Sequence, residues 1–309
     1  MKKVSVIIPF HNNLAPLARC LEALRTQTYP PADLEIIAVD NGSAAPTAEI
    51  KTAFPEVIWL VEPRPGSYSA RNCGLRSAAG EIIAFTDADC VPSASWLQEA
   101  VANLGLSGED LAKTEGRASV ATIIGGNIQY LPPPNRPLNI CELFEEEVFM
   151  LSKHRQLIER MGAAATANLV AYRSVFDRVG FFDPNLKSFG DGEWVARAVG
   201  EGEVLRYAET ATVYHPRRST ISEILSKTRR LAGGKTMLMK KKRETAAAFV
   251  RDFYRYSILN PKTHLLALKF PKVEGPIRRA QIFLLVELMS LTNSFEKIRI
   301  LFGCEAYRG

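Results

Sequence analysis

At 309 residues and a net charge of +6, the chain can bury a sizeable core, and one domain of about 200 residues plus an appendage is an ordinary division. No apolar run approaches the ~20 residues needed to cross a bilayer, and the amino terminus enters a strand-like run at once, leaving no room for a secretory signal. The five cysteines, Cys20, Cys73, Cys90, Cys141 and Cys304, lack paired metal spacing, so no zinc site is expected and the thiols read as reduced, in a cytoplasmic setting.

In chain order, Lys3-Val4-Ser5-Val6-Ile7-Ile8-Pro9-Phe10-His11-Asn12-Asn13 reads as a strand closed by a polar loop, and Leu17, Leu21 and Leu24 follow at helical spacing. Leu34 to Val39 is a second strand with Asp40 at its tip and a sharp Asn41-Gly42 turn. Val57 to Val61 is a third, leading into a helix start at Gly66-Ser67-Tyr68-Ser69-Ala70-Arg71-Asn72-Cys73-Gly74. Glu81-Ile82-Ile83-Ala84-Phe85 is a fourth, apolar and partly β-branched, as buried parallel strands are. The alternation predicts an α/β fold, a mainly parallel sheet flanked by helices.

The fourth strand runs into Thr86-Asp87-Ala88-Asp89-Cys90. Two carboxylates at the carboxyl edge of a parallel strand stand where open α/β sheets place their ligands. Their mutual repulsion is relieved by a hard divalent cation, Mg2+ or Mn2+. The alternative is that the acids cap a turn before a helix beginning at Val91-Pro92-Ser93.

Five blocks in order resemble the inverting nucleotide-sugar glycosyltransferases of family two, whose Rossmann-like fold is called GT-A: Val6 to Asn13, Val39 to Ser43, Ser69 to Gly74, Phe85 to Cys90, and Gly180-Phe181-Phe182-Asp183-Pro184 followed by Phe189-Gly190-Asp191-Gly192-Glu193-Trp194. The resemblance covers roughly residues 3 to 216. It implies that Pro9 and His11 border the nucleotide and that Asp40 and Asn41 hydrogen-bond its base and ribose, a role that suits an acceptor-only carboxylate. It implies further that Arg71 reaches the base or the diphosphate, that Asp87 and Ala88 contact the donor, and that Asp89 ligates the metal, which stabilises the departing diphosphate. Asp191 matches the family's catalytic base, with an N-cap as the alternative reading. Gly190 stands where the family often has a glutamate, which bears on the acceptor-side contacts expected of Gly190 and Glu193. Asn168 matches a segment that lines the acceptor side. His215, ending Ala211-Thr212-Val213-Tyr214-His215, resembles a third metal or diphosphate ligand, or else is a satisfied loop histidine; His154 and His264 read as structural or surface groups.

Charge divides the chain. Residues 217–309 hold 20 Lys and Arg against 7 Asp and Glu, whereas residues 1–216 hold 19 against 26. With apolar spacing at Ile221, Ile224 and Leu225, and again from Ile282 to Leu291, a mostly helical, basic C-terminal region is expected, suited to an anionic membrane surface; no nucleic-acid module accompanies it. The expected domains are 1–216, catalytic, with a nucleotide-donor half at 1–104 and an acceptor half at 118–216, and 217–309. A polar loop at Gly105–Arg117 and an extended, proline-rich connection at Leu131–Pro137 lie between, and the acidic run Glu142–Glu147 is expected to frame an acceptor cleft.

The sequence therefore predicts a metal-dependent hexosyltransferase using a nucleotide diphosphate sugar, UDP being the family's commonest donor nucleotide. The acceptor is a glycan, a lipid-linked or a small molecule, in polysaccharide or glycolipid biosynthesis, and the enzyme is cytoplasmic or peripheral at the inner face of the cell membrane. Two alternatives stand beside it. A sugar-phosphate nucleotidyltransferase would need a glycine-rich loop where Pro9-Phe10-His11-Asn12-Asn13 has none. A non-catalytic, membrane-associated adaptor retaining the GT-A fold would have no need of Asp89 and Asp191.

Overall fold

The computed structural model describes residues 1–105, 121–132, 135–148, 153–257, 273 and 275–307. Most of the loop expected at Gly105–Arg117, Pro133 and Pro134 of the connection, and His264 lie outside the described residues. The chain divides into two compact units, the first Met1–Leu131, Met150–Asn185 and Gly190–Pro216, the second Pro132–Phe149, Leu186–Phe189 and Arg217–Gly309.

The first unit is one eight-stranded sheet with helices around it. Its strands are β1 (Val4–Phe10), β2 (Leu34–Asp40), β3 (Ile58–Val61), β4 (Ile82–Phe85), β5 (Val91–Pro92), β6 (Ile123–Tyr130), β7 (Leu169–Tyr172) and β8 (Leu205–His215), in the spatial order β3-β2-β1-β4-β7-β6-β8-β5. β1 pairs in parallel with β2 and β4, and β2 with β3, as the β-α alternation requires. Chain direction reverses at β7, which runs antiparallel to both β4 and β6, so the sheet is mixed beyond its first four strands. β1 and β4 are buried almost throughout, which fits their mostly apolar sequences; Ser5 is the polar exception in β1.

Helices α1 (Leu14–Arg25), α2 (Ala48–Ala53), α3 (Ser67–Ser77) and α4 (Trp96–Asn103) follow the early strands. Leu17, Leu21 and Leu24 form the buried stripe of α1 together with Cys20. Val91-Pro92 starts no helix. It pairs with Val213 and Tyr214 of β8, and α4 begins only at Trp96. α3 lies close on β1: a Cβ on Gly74 would stand 2.5 Å from Cγ2 of fully buried Ile7. That close approach fixes where α3 presents its other side chains.

In the second unit, α5 (Ile140–Val148), α9 (Ile221–Lys241), α10 (Ala246–Arg255) and α11 (Pro276–Leu301) predominate; α6 (His154–Met161), α7 (Arg173–Val179) and α8 (Gly190–Gly200) belong to the first. Cys141, Phe144, Ile224, Val273, Ile282, Leu285 and Val286 make its core. The acidic run of α5 is spent here rather than on a cleft. Glu142 holds Arg136 through both oxygens, Glu145 bonds Arg218 and Lys227, and Glu146 pairs with Arg217. Among the described residues no helix is long and apolar enough to cross a membrane.

Replacing Gly74 by Ala forces a methyl group into the Ile7 side chain, and overpacking of this kind costs about 1–3 kcal/mol. The urea midpoint of Gly74→Ala should fall accordingly; an unchanged midpoint would show that α3 is free to shift.

Candidate active site

The carboxyl ends of β1, β2 and β4 place Phe10, Asp40 and Phe85 at one edge of the sheet. After Phe85 the chain turns at Ala88-Asp89, closed by Cys90 N–H donating to the Asp87 carbonyl at 3.0 Å. β5 then pairs with the end of β8, and the register Val91↔Tyr214 carries His215 alongside Cys90. One ligand atom from each of Asp87, Asp89, Cys90 and His215 lies within 4.8 Å of all the others.

Asp87 and Asp89 are not equivalent. The Arg71 guanidinium, only 4% exposed, donates from Nη2 to Asp87 Oδ1 at 2.5 Å. Among the described residues Asp89 makes only a long contact, 4.0 Å, with the Cys90 thiol. Cys90 is fully buried, and desolvation with the charges of Asp87 and Asp89 pushes its pKa well above the usual thiol value, so it stays a thiol rather than a thiolate. His215 Nδ1 donates to the Pro216 carbonyl at 2.7 Å, which orients the ring. Two carboxylates and an oriented imidazole suit a hard or borderline divalent cation. Three buried polar atoms on α3 and at the end of β4, Ser69 Oγ, Arg71 Nε and Thr86 Oγ1, find no hydrogen-bond partner among the described residues, which is unusual for buried groups.

Asp191 opens α8. Its Oδ1 accepts from Tyr68 Oη at 3.2 Å and from Gly192 N–H at 2.9 Å, and its Oδ2 accepts from Thr166 N–H at 3.3 Å. The Tyr68 hydroxyl also accepts from Gly190 N–H at 2.9 Å. A Cβ on Gly190 would stand 2.6 Å from the Tyr68 ring, so at this position a tyrosine ring takes the space that a side chain would fill. Phe189, just before it, holds φ at +62°, a strained value for a bulky residue. Tyr68 and Arg71 sit three residues apart on α3, on one face, and the guanidinium carbon lies 5.7 Å from the Tyr68 ring centroid. A line of contacts thus runs from Asp87 through Arg71 and Tyr68 to Asp191. Below it, Phe85, Phe176, Phe182, Trp194 and Tyr68 form one aromatic cluster, with Phe176 stacked on Trp194 at 4.2 Å, joining the strand that ends in the acids to the helix that begins at Asp191.

Other expected site residues turn out to hold the scaffold. The Asn41 amide donates to the Glu62 and Arg64 carbonyls and accepts from Gly66 N–H, bracing the loop before α3, so its side chain is not offered to a nucleotide base. Asp40 Oδ1 accepts from Ser43 N–H. His11 is exposed, with Nδ1 3.2 Å from the Asn41 carbonyl, and Pro9 lies within β1 beside Val39. Asn168 does not line an acceptor cleft. It is fully buried, accepts from Trp96 Nε1 and donates to the Asn127 and Ala211 carbonyls. Glu193 pairs with Arg197, whose guanidinium bonds the Val179 and Phe181 carbonyls, so it helps secure the turn before Phe182. His154 is structural: Nδ1–H donates to the Gly126 carbonyl, Nε2 accepts from Ala165 N–H, and burial lowers its pKa. Tyr68 is the residue that motif reading missed; its place one helical turn before Arg71 was the available signal.

Residues 5–128 match the model of glycosyl transferase family 2. The glycosyltransferase AglE of Haloferax volcanii is 34% identical over 236 residues, 75% of this chain and 72% of that protein. Two solved structures share the architecture at low identity. The mannosyltransferase PcManGT from Pyrobaculum calidifontis, in complex with GDP-Man and Mn2+, matches with a TM-score of 0.60 at 15% identity, covering 97% of this chain and 87% of that one. S. aureus TarS 1–349 in complex with UDP matches at 0.53 and 18%, covering 97% and 92%. The sheet and its flanking helices are therefore those of the GT-A fold. The chain belongs to glycosyltransferase family 2, and the protein is a glycosyltransferase.

The two acids should separate in a stability measurement. Asp87→Ala strands a buried guanidinium and should cost about 2 kcal/mol, allowing for the partial exposure of Asp87, whereas Asp89→Ala should stay within about 0.5 kcal/mol of the wild type. Equal urea midpoints for the two variants would contradict the division.

Proposed function

We propose that the protein moves a sugar from a nucleoside diphosphate donor to an acceptor hydroxyl, in a cation-dependent displacement that inverts the anomeric centre. The observation that carries this reading is the pairing of a carboxylate–imidazole cluster at the sheet edge with Asp191, a carboxylate fixed by three hydrogen bonds and connected to that cluster through α3.

Asp89 and His215 would hold a divalent cation, Mn2+ or Mg2+, with Asp87 facing it from its salt bridge to Arg71. A cation held there supplies Lewis-acid stabilisation to the leaving diphosphate. Arg71 brings a guanidinium charge, held in place by Asp87, to the same side. Ala88, in the turn between the acids, borders the donor, and Asp40, at the tip of β2, suits a ribose diol. On the other side Asp191 takes the acceptor's hydroxyl proton as that oxygen bonds to the anomeric carbon, and the electron pair of the breaking C–O bond leaves with the diphosphate. Tyr68 and Thr166 hold the carboxylate in one orientation, so little reorganisation is needed at the moment of transfer. Gly190, with no side chain, leaves room for the Tyr68 ring there.

PcManGT carries GDP-Man and TarS carries UDP, so both nucleotides belong in a donor screen; UDP is the first choice as the commonest in the family. The acceptor is a glycan, a lipid-linked or a small-molecule alcohol, in polysaccharide or glycolipid synthesis, with the basic region 217–309 able to meet an anionic membrane surface from the cytoplasmic side.

Calorimetric titration with UDP and GDP, with and without Mn2+, tests the reading. Nucleotide binding should require the cation and be lost in Asp89→Ala. Asp191→Asn should keep nucleotide binding while sugar transfer falls about 10²- to 10⁴-fold, the range of a general base. Cation-independent nucleotide binding, or full turnover in either variant, would sink it.

A further inference from the structure

Helix α11 is apolar on two faces. Ile282, Leu285, Val286 and Ile300 are buried, the first three of them within the core of the helical unit. On the outward face Leu284, Leu288, Leu291, Phe295, Ile298 and Phe302, the residue that closes the helix, are all exposed, four of them by more than half. They stand at intervals of four, three, four, three and four residues, which is the 3.5-residue period of a coiled-coil seam rather than a scatter of single surface side chains. The seam runs for about 27 Å. A helix hydrophobic on both faces is ordinarily covered on both.

The residues around the seam indicate what covers it. A helix that lies in a lipid interface carries Lys and Arg beside its apolar face. From Ala280 to Ile298 the one cation is Lys297, buried and paired with Asp252, and the anions are Glu287 and fully buried Glu296. Thr292, Asn293 and Ser294, at the middle of the seam, are uncharged. Such a face suits another apolar helix better than an anionic bilayer. It is also complementary to itself. With two copies antiparallel about a two-fold axis level with Asn293, Leu284 meets Phe302 of the second copy, Leu288 meets its Ile298 and Leu291 meets its Phe295. Each phenylalanine is then opposed by a leucine, and Thr292 and Ser294 near the axis bring no like charges together. At about 200 Å2 for a fully exposed Leu, Ile or Phe, the six side chains offer roughly 700 Å2 per copy, close to the ~800 Å2 that each partner of a standard interface buries.

We propose that the exposed seam of α11 is a homodimer interface, in which two copies of the chain pack antiparallel through Leu284, Leu288, Leu291, Phe295, Ile298 and Phe302. Leu288, Leu291, Phe295 and Ile298 form its central layers, and Leu284 with Phe302 closes it at either end. Arg278 and Arg279, at the start of the helix, lie beyond the end layers and keep their charges in water. The interface lies on one helix of the helical unit, apart from the carboxylate cluster, and does not depend on the sugar-transfer reading.

The test is sedimentation equilibrium of the full chain, with far-UV circular dichroism to show that each variant is folded. The wild type should sediment with the mass of two chains at micromolar concentration, the weak end for an interface of this size. Leu291→Glu and Phe295→Lys, each in a central layer, should weaken self-association at least about 100-fold without changing the dichroism, as expected for a charge placed among the anchors of an interface. Mixed in equal amounts, the two variants should recover a dimer, because the introduced acid and base then face each other in one central layer while the other keeps its Leu–Phe pair. If Leu291→Glu fails to fold, Phe295→Lys, at a more exposed position, decides alone. A wild type that stays monomeric, a dimer that the variants leave intact, or a mixture of folded variants that stays monomeric overturns the proposal. So does flotation of monomeric wild-type chain with phosphatidylglycerol vesicles that Phe295→Lys abolishes, which gives the face to a bilayer.

Discussion

The salt bridge between Arg71 and Asp87 organises the first unit. A guanidinium this deeply buried must keep a partner, because the desolvation it suffers is not recovered otherwise. Asp87 is that partner, so its carboxylate faces two ways at once, toward α3 and toward the acid cluster. Asp89 carries no such obligation. The same helix that presents Arg71 presents Tyr68 one turn earlier, and Tyr68 holds both the backbone at Gly190 and the side chain of Asp191. Position along α3 therefore sets the relation of the two halves of the site, and the close contact of Gly74 with Ile7 sets α3 on the sheet.

The glutamate that the family often has at position 190 is absent here, and the geometry supplies a reason. The Tyr68 ring occupies the space a side chain would take, and its hydroxyl donates to Asp191 while accepting from the 190 backbone. Phe189, with its positive φ, turns the chain into α8 at the same point.

Much of this was legible in the amino-acid sequence because local pattern carries it. Alternating apolar runs and helical spacing carry the β-α succession, and acids at strand tips mark one edge of the sheet. What stayed hidden depends on partners far along the chain. Asn41, Asn168 and Glu193 are polar residues in family-like blocks, yet their side chains are occupied by carbonyls, amides and a guanidinium that no short motif reveals. Reversal of direction at β7 follows from pairing with β4 across more than eighty residues of sequence, which periodicity alone does not encode. The acidic run Glu142–Glu147 resembles a cleft wall in sequence for the same reason; its partners Arg217, Arg218 and Lys227 lie beyond β8, and together they neutralise part of the charge that makes the C-terminal region basic in sequence.

The central claim is that the cation cluster and Asp191 serve opposite sides of one reacting carbon. The stereochemical course of transfer tests this most directly. With a donor of known anomeric configuration, proton NMR of the product formed in the first minutes, before mutarotation or secondary transfer, should show the opposite configuration at the transferred sugar. Retention of configuration would contradict the account, since it would require a nucleophile on the protein or a same-face attack that leaves Asp191 without its assigned task.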